Sequence, residues 1–356
     1  MAAMHSGSSR LRGAPSGVLA VLGGPRLLLG LLILLVSLAA WALGTVLPVL
    51  GPAVLALLVG ALVRAVAPVD EAVVAPSSTV GTRLLQISIV ALGLSVDSGE
   101  VLRVAGTSLP VMLGTLAIGM LGITLIGRAL GVAMPVRGLL TVGTSICGAS
   151  AIAAIAPVLE ATSGEIAYAV SVIFVFNITA VVTFPTIAHA LGFAPQSFAI
   201  WAGTAVNDTS SVLAAAFAFG AGTAAYAAVV KLSRTLMILP VAVGTAVMSA
   251  RGGEQDLGVR ARVALRRALP WFIVAFLAAS LLNTVGLVPG PLAHAAATVA
   301  QIGTVLALAS VGLGTHLDHF RQAGPRPLLL GLAGWILIAV TSLALQAATG
   351  LLVIGR

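Results

Sequence analysis

The sequence predicts an all-α polytopic membrane protein, and three observations carry the prediction. Of its 356 residues, 59% are hydrophobic and 8% are charged, where a soluble globular domain carries about 25% charged residues. The mean hydropathy is +1.15. The apolar residues fall into runs that suit helices of roughly 20 residues, the length that spans a bilayer. The 40 glycines and 17 prolines fit packed membrane helices, which tolerate both and approach one another over small residues.

Residues 1–26 are rich in Gly, Ser and Pro and hold Arg10, Arg12 and Arg26. They read as a disordered cytoplasmic tail, and 27–356 as one transmembrane domain. The first apolar run, 27–47, exceeds the core of a signal peptide and reads as a retained helix. Ten further segments are expected at 49–65, 82–96, 107–127, 137–160, 165–188, 197–220, 223–249, 270–288, 296–314 and 327–350. With the N-terminus inside, the cytoplasmic stretches hold Arg10, Arg12, Arg26, Arg64, Arg83, Arg128, Arg137, Arg251, Arg260, Arg262, Arg266, Arg267, Arg321 and Arg326. The outer side keeps Arg103 and Arg356. That asymmetry predicts about eleven segments, N-in and C-out, in the inner (plasma) membrane. The one hydrophilic loop, Arg251 to Arg267, has a second half that suits a short interfacial helix.

Composition also excludes functions. The arginines are scattered and aromatics make up 4%, so no nucleic-acid surface is expected. Cys147, the single cysteine, rules out an internal disulfide and a Cys-based zinc site. His316, Asp318 and His319 share one short loop without further ligands, so no metal site is expected. No phosphate-binding glycine loop, nucleophile elbow or zinc-protease motif occurs. The chain is not expected to be an enzyme, an ATP-driven pump or a cofactor protein. Its expected partners are a small anion and the lipid bilayer, and a homo-oligomer is compatible with the sequence.

Two internal resemblances point to repeats. Gly143-Thr144, Ser150 and the Gly164-x-x-Ala-Tyr168-Ala-x-x-Val172 run match Gly203-Thr204, Ser210 and Gly222-x-x-Ala-Tyr226-Ala-x-x-Val230. Tyr168 and Tyr226 are the only tyrosines. A weaker match joins Gly93-Leu94 and Ala105-Gly106 to Gly312-Leu313 and Ala323-Gly324. Repeats of this kind mark transporters.

Within the first repeat, Ser145, Cys147, Gly148, Ala149 and Ser150 interrupt one span. Asn207, Asp208, Thr209 and Ser210 interrupt another. Cap residues at mid-depth imply a broken helix, tolerated in a membrane where it lines a cavity or is buried in protein; such a segment can cross the membrane or turn back as a hairpin, and two hairpins would keep the topology parity and make the Gly-Thr/Tyr repeat inverted. A half-helix N-terminus there suits an anion; a small-residue packing seam is the alternative. Lys231, the only lysine, lies with Arg234 on one face of a helix, too deep to snorkel. In the repeat their counterparts are Ile173 and Phe176. A substrate or coupling role and a purely structural ion-pair clamp both fit them. Asp208 can cap its half-helix, pair with Lys231 or Arg234, or carry a coupling proton. Gln86 and Asn177 are expected as interhelical hydrogen-bond partners, Arg83 as an interface anchor, and Glu160 and Glu165 as solvated loop ends.

Gly81-Thr82-Arg83-Leu84-Leu85-Gln86 through Leu92-Gly93 and Ser145-Ile-Cys-Gly-Ala-Ser-Ala-Ile-Ala-Ala154 together resemble the YeiH family, also called UPF0324. So do Trp201-Ala-Gly203 with Asn207-Asp208-Thr209, and Lys231-Leu232-x-Arg234 with Pro240. The likeness spans about 45 to 350. It implies efflux of sulfate or a related sulfur oxyanion, and a fold of paired broken helices that cross in the membrane. Asn207 departs from the His that the resemblance leads one to expect, which puts the coupling step in question.

The leading expectation is a secondary active exporter of a small anion. Lys231 and Arg234 would supply charge, the two helix breaks would supply N–H donors, and Asp208 would couple transport by competing for Lys231. A cation/proton antiporter with Asp208 as ion site, and a non-transporting scaffold or receptor, are the alternatives.

Overall fold

Capping chemistry sets where the helices begin. The computed structural model describes residues 24–47, 50–67, 69–220, 222–238, 240, 241, 244, 271–315 and 325–355. The expected tail up to residue 23, the Arg251–Arg267 loop with its interfacial helix, and His316, Asp318 and His319 lie outside the described residues. Fourteen helices are described. The first five are α1 (Pro25–Val46), α2 (Gly51–Val66), α3 (Glu71–Val74), α4 (Ser77–Gly93) and α5 (Ser98–Ala129). Then come α6 (Val136–Ser145), α7 (Ala149–Ile155), α8 (Ser163–Ala190), α9 (Pro195–Ala205) and α10 (Thr209–Phe219). Last are α11 (Thr223–Leu236), α12 (Trp271–Thr284), α13 (Gly290–Leu313) and α14 (Pro325–Ala348). Asp97 caps α5, and Thr162 with Glu165 forms a reciprocal capping box on α8, satisfying N–H groups that a helix start leaves free. Proline occupies the first turn of α1, α2, α9 and α13, where its missing N–H costs nothing. Among the described residues no strand forms; one bridge joins Phe193 to Ile354.

α1, α5, α8, α13 and α14 are long and apolar enough to cross a membrane. Their exposed leucines and isoleucines, such as Leu35 on α1, Leu121 on α5 and Ile336 on α14, suit a lipid surround. α1, α2, α4, α12 and α13 pack as one group. There α2 and α13 meet backbone to backbone: a Cβ on Gly312 would lie 2.4 Å from the Leu57 carbonyl oxygen, so only glycine permits the approach. Ser310 Oγ on α13 donates to the Ser77 carbonyl (2.8 Å), and Trp271 Nε1 on α12 donates to Gln86 Oε1 (3.2 Å). Gln86 thus is the interhelical partner expected.

α5 to α11 and α14 form the second group. α5 and α14 run antiparallel, with Gly114 against Leu345, Gly122 against Leu337 and Gly127 against Leu330. These contacts define two ends. The start of α6 lies at the end holding Gly127, which touches Arg137. The start of α9 lies at the opposite end, where Ala194 N donates to the Val353 carbonyl and Ser197 Oγ to that of Leu351, both 2.9 Å.

Neither broken helix runs through. Gly138 near the start of α6 lies against Leu159 beyond α7, and Gly143 lies against Ile152. Phe198 on α9 stacks on Phe219 at the end of α10, ring centroids 4.2 Å apart. Each pair of arms therefore turns back to its own end, one hairpin from each end. The segments 137–160 and 197–220 each fold back as two arms instead of running straight through. With both segments folded back, α8 starts at the same end as α6, and the stretches that begin at α6 and α9 start at opposite ends. A mid-helix break fits a crossing or a hairpin equally, and two hairpins leave the parity of the chain unchanged. For the weaker match, α4 and α13 do run antiparallel, with Gly81 against Val311 and Ser88 against Gly303; Ala323 and Gly324 lie outside the described residues.

Candidate functional site

The two hairpin tips meet. In the first, α6 stops at Ser145, and Gly148 turns the chain with φ 65° and ψ −129°, a conformation that side chains avoid. Gly148 N donates back to the Gly143 carbonyl at 2.8 Å. In the second, Val206, Asn207 and Asp208 are the non-helical link, with extended backbone at Val206 and Asp208. A Cβ on Gly148 would lie 3.4 Å from the Asn207 carbonyl oxygen and 3.4 Å from Ile173 Cγ2. The positive φ is what calls for glycine here, since a Cβ would find only ordinary contacts with the second tip. α14 braces both first arms: Thr204 Oγ1 bonds Ser342 Oγ (2.6 Å), and Gly334 lies near the methyl of Thr144.

Two broken helices leave four loose ends at the centre, two with free carbonyls and two with free N–H groups. The carbonyl ends belong to α6 and α9, and two cations of α11 serve them. Lys231 Nζ donates to the carbonyls of Ile146 (3.1 Å) and Val206 (2.7 Å). Arg234 Nε donates to the Ser145 carbonyl at 2.9 Å, and its Nη2 reaches the carbonyls of Ser145 and Thr144. Lys231 and Arg234 are both 0% exposed. Among the described residues the ion pairs are Arg64–Glu71 and Arg103–Glu100; Lys231 and Asp208 do not form one.

The N–H ends belong to α7 and α10, and they differ. Asp208 caps α10, its carboxylate accepting from Ser211 N (2.8 Å), Ser211 Oγ (2.7 Å), Ser210 Oγ and Asn177 Nδ2. Asn177 Oδ1 accepts from Asn207 N at 2.9 Å, so one amide on α8 holds two residues of the tip. The end of α7 has no side-chain cap, and Ala149 and Ser150 are exposed there. Helix ends carry about half a charge each, negative at the carbonyls and positive at the N–H groups. Two of each sign cancel. The side chains Lys231, Arg234 and Asp208 then leave the centre with a net charge of about +1.

The structure gathers the candidate substrate-binding and coupling residues around these tips, at different depths. Cys147 is buried, as are Ser145 and Asn207, while Thr209 and Ser210 are half-buried. Ser145 Oγ, Asn207 Oδ1 and Arg234 Nη1 are buried atoms with no hydrogen-bond partner among the described residues. Ile173, the repeat counterpart of Lys231, packs on Gly143 and Gly148. Sequence reasoning undervalued Asn177, expected as an ordinary interhelical partner. Its signal was an amide in the apolar run of α8, aligned by the repeat with Thr235. It also passed over Glu100, whose carboxylate accepts from Tyr226 Oη and Arg103 at 2.7 Å each. Glu100 and Tyr226 line a cavity of about 560 Å³ between the helix groups, which reaches Val229, two residues from Lys231.

The family model described as conserved hypothetical protein 698 matches residues 27–331. Relatives are similar over nearly their full length. A UPF0324 membrane protein of Streptococcus pyogenes serotype M6 is 39% identical over 328 residues, covering 90% of this chain and 96% of the relative. Another, of Streptococcus agalactiae serotype V, is 33% identical over 327 residues, with the same coverage. A third, of Streptococcus pneumoniae, is 36% identical over 325 residues, 89% of this chain and 96% of the relative. No solved structure gives a significant match.

Proposed function

The chain belongs to the conserved hypothetical protein 698 family, UPF0324, and on that premise we propose that it is a secondary active transporter exporting a small anion, sulfate or a related sulfur oxyanion. The observation that carries this reading is the difference between the two tips. In the repeat Gly148 aligns with Asp208. Asp208 places a carboxylate on the N–H groups of α10, whereas α7 has no such carboxylate and its first two residues, Ala149 and Ser150, are exposed. An anion at α7 takes the place that Asp208 occupies at α10. Free N–H groups and the positive end of the dipole favour it, and the net charge of the centre has the right sign.

The end holding Arg128, Arg137 and Arg326 is assigned to the cytoplasm by its charge. The first hairpin then opens inward and the second outward, an arrangement of inverted repeats suited to alternating access. Lys231 and Arg234 act on the anion chiefly through their field, since Lys231 Nζ and the Nε and Nη2 of Arg234 are engaged with backbone carbonyls. Asp208, the ionisable group of the opposite tip, is assigned the coupling role. It exercises this through its cap on α10, not through an ion pair with Lys231.

The test is flux in proteoliposomes. Labelled sulfate, sulfite and thiosulfate are offered, with small carboxylates as competitors. Saturable, protein-dependent movement of one sulfur oxyanion is expected. Sodium-dependent proton movement with no anion present would instead favour cation/proton antiport at Asp208. Absence of both would leave a scaffold or receptor.

A further inference from the structure

Lys231 is bound in the way a metal ion is bound. Its two hydrogen-bond partners among the described residues are backbone carbonyls, from Ile146 and Val206. These two positions are equivalent under the repeat that aligns Gly143-Thr144 with Gly203-Thr204. Each is the residue that ends the first arm of its hairpin. The ammonium thus sits where the carbonyl ends of two oppositely directed half-helices converge. It is 0% exposed, and no carboxylate pairs with it among the described residues. In transporters with broken helices, such carbonyl ends coordinate a coupling cation such as sodium. Lysine suits the role of substitute because its ammonium is a compact point charge on a flexible stem. The neighbouring carbonyls of Thr144 and Ser145 are already taken by Arg234, so no cluster of free oxygens remains beside Lys231 for a second ion.

We infer that the junction of the hairpin tips is a monovalent-cation site occupied permanently by the chain's own Lys231 ammonium, so that the protein requires no sodium there. The inference deepens the transport reading but stands on the geometry of the tips. Its test reads binding and stability rather than flux, so an inactive protein can pass it and an active anion transporter can fail it. The site explains why one lysine occurs in a chain that otherwise uses arginine for its cations. A guanidinium is planar and forked, and does not reproduce a small ion held between two converging carbonyls.

The experiment is thermal unfolding of the full chain in detergent at constant ionic strength, in sodium, potassium or choline chloride. Wild type is expected to unfold at the same temperature in all three. Lys231→Ala is expected to unfold at lower temperature in choline. The loss should be recovered, saturably, by propylammonium, which restores the deleted head and stem. Lys231→Met, which fills the space without charge, should be destabilised and gain nothing from propylammonium. A merely structural packing role would not produce recovery by an added cation in one variant and not the other. Stabilisation of wild type by sodium over choline would overturn the inference, and that measurement needs no variant to fold. So would a Lys231→Ala protein as stable as wild type, or one that no alkylammonium restores.

Discussion

Replacing Asp208 by Ala removes the cap of α10 and the partner of Asn177 in one step. Loss of an N-cap side chain costs about 1 kcal/mol, within about 0.5–2. Asn177 is 2% exposed, and its Nδ2 donates to the Asp208 carboxylate. A buried donor left without a partner costs about 1–3 kcal/mol. The hydroxyls of Ser210 and Ser211 can turn to other acceptors and add little. The expected loss is therefore about 3 kcal/mol, read by reversible SDS unfolding in mixed micelles with far-UV circular dichroism. Asp208→Asn keeps an oxygen for Ser211 N but sets an amide against the amide of Asn177, so about 1 kcal/mol is expected. The double variant Asp208→Ala with Asn177→Leu leaves no orphaned donor from the pair. It should lose less than the two single changes added together, with a coupling of about 1–3 kcal/mol. An Asp208→Ala protein within about 0.5 kcal/mol of wild type, the range of an ordinary surface change, would refute the assignment of Asp208 as the cap of the second tip.

Other consequences follow from the same geometry. Gly148→Ala places a side chain in a strained conformation against Asn207 and Ile173; a loss of about 1–3 kcal/mol is expected in the same unfolding assay. Gly312→Ala drives a methyl into the Leu57 carbonyl, and should lower the unfolding temperature more than Ala at exposed Gly106 does. Cys147, the only cysteine, is 4% exposed, so wild type should react slowly with a membrane-impermeant thiol reagent. In a Cys147→Ser background, Ser150→Cys should react readily, and a transported anion should slow that reaction.

The elements and their breaks were legible because their chemistry is local. Asp208 followed by Thr209, Ser210 and Ser211 announces a helix start in any context, and Gly148 amid small residues announces a turn. What the breaks do next was not legible. Whether α7 continues α6 across the membrane or returns beside it depends on Gly138 meeting Leu159 and Gly143 meeting Ile152, contacts that no local pattern encodes. The partners of Lys231 were hidden for another reason. They are backbone carbonyls 85 and 25 residues away in sequence, and a carbonyl leaves no mark in an amino-acid sequence. The sequence therefore suggested a carboxylate partner, Asp208, for a cation whose partners are helix ends. Asn177 was legible as a hydrogen-bonding residue, but its grip on both Asn207 and Asp208 depends on α8 passing beside the second tip.

The central claim is that an anion occupies the uncapped end of α7, where the repeat lacks its carboxylate. Ala149 is exposed at the first position of that helix, so Ala149→Asp places a competing negative charge there. An acid in the first turn stabilises a helix by about 0.3–1 kcal/mol, so the variant should remain folded. The deciding measurement is sulfur-oxyanion flux in proteoliposomes for wild type, Ala149→Asp and Ala149→Ser. The account predicts saturable flux in wild type and Ala149→Ser, and its loss in Ala149→Asp with stability retained. Undiminished flux in a folded Ala149→Asp protein would contradict it.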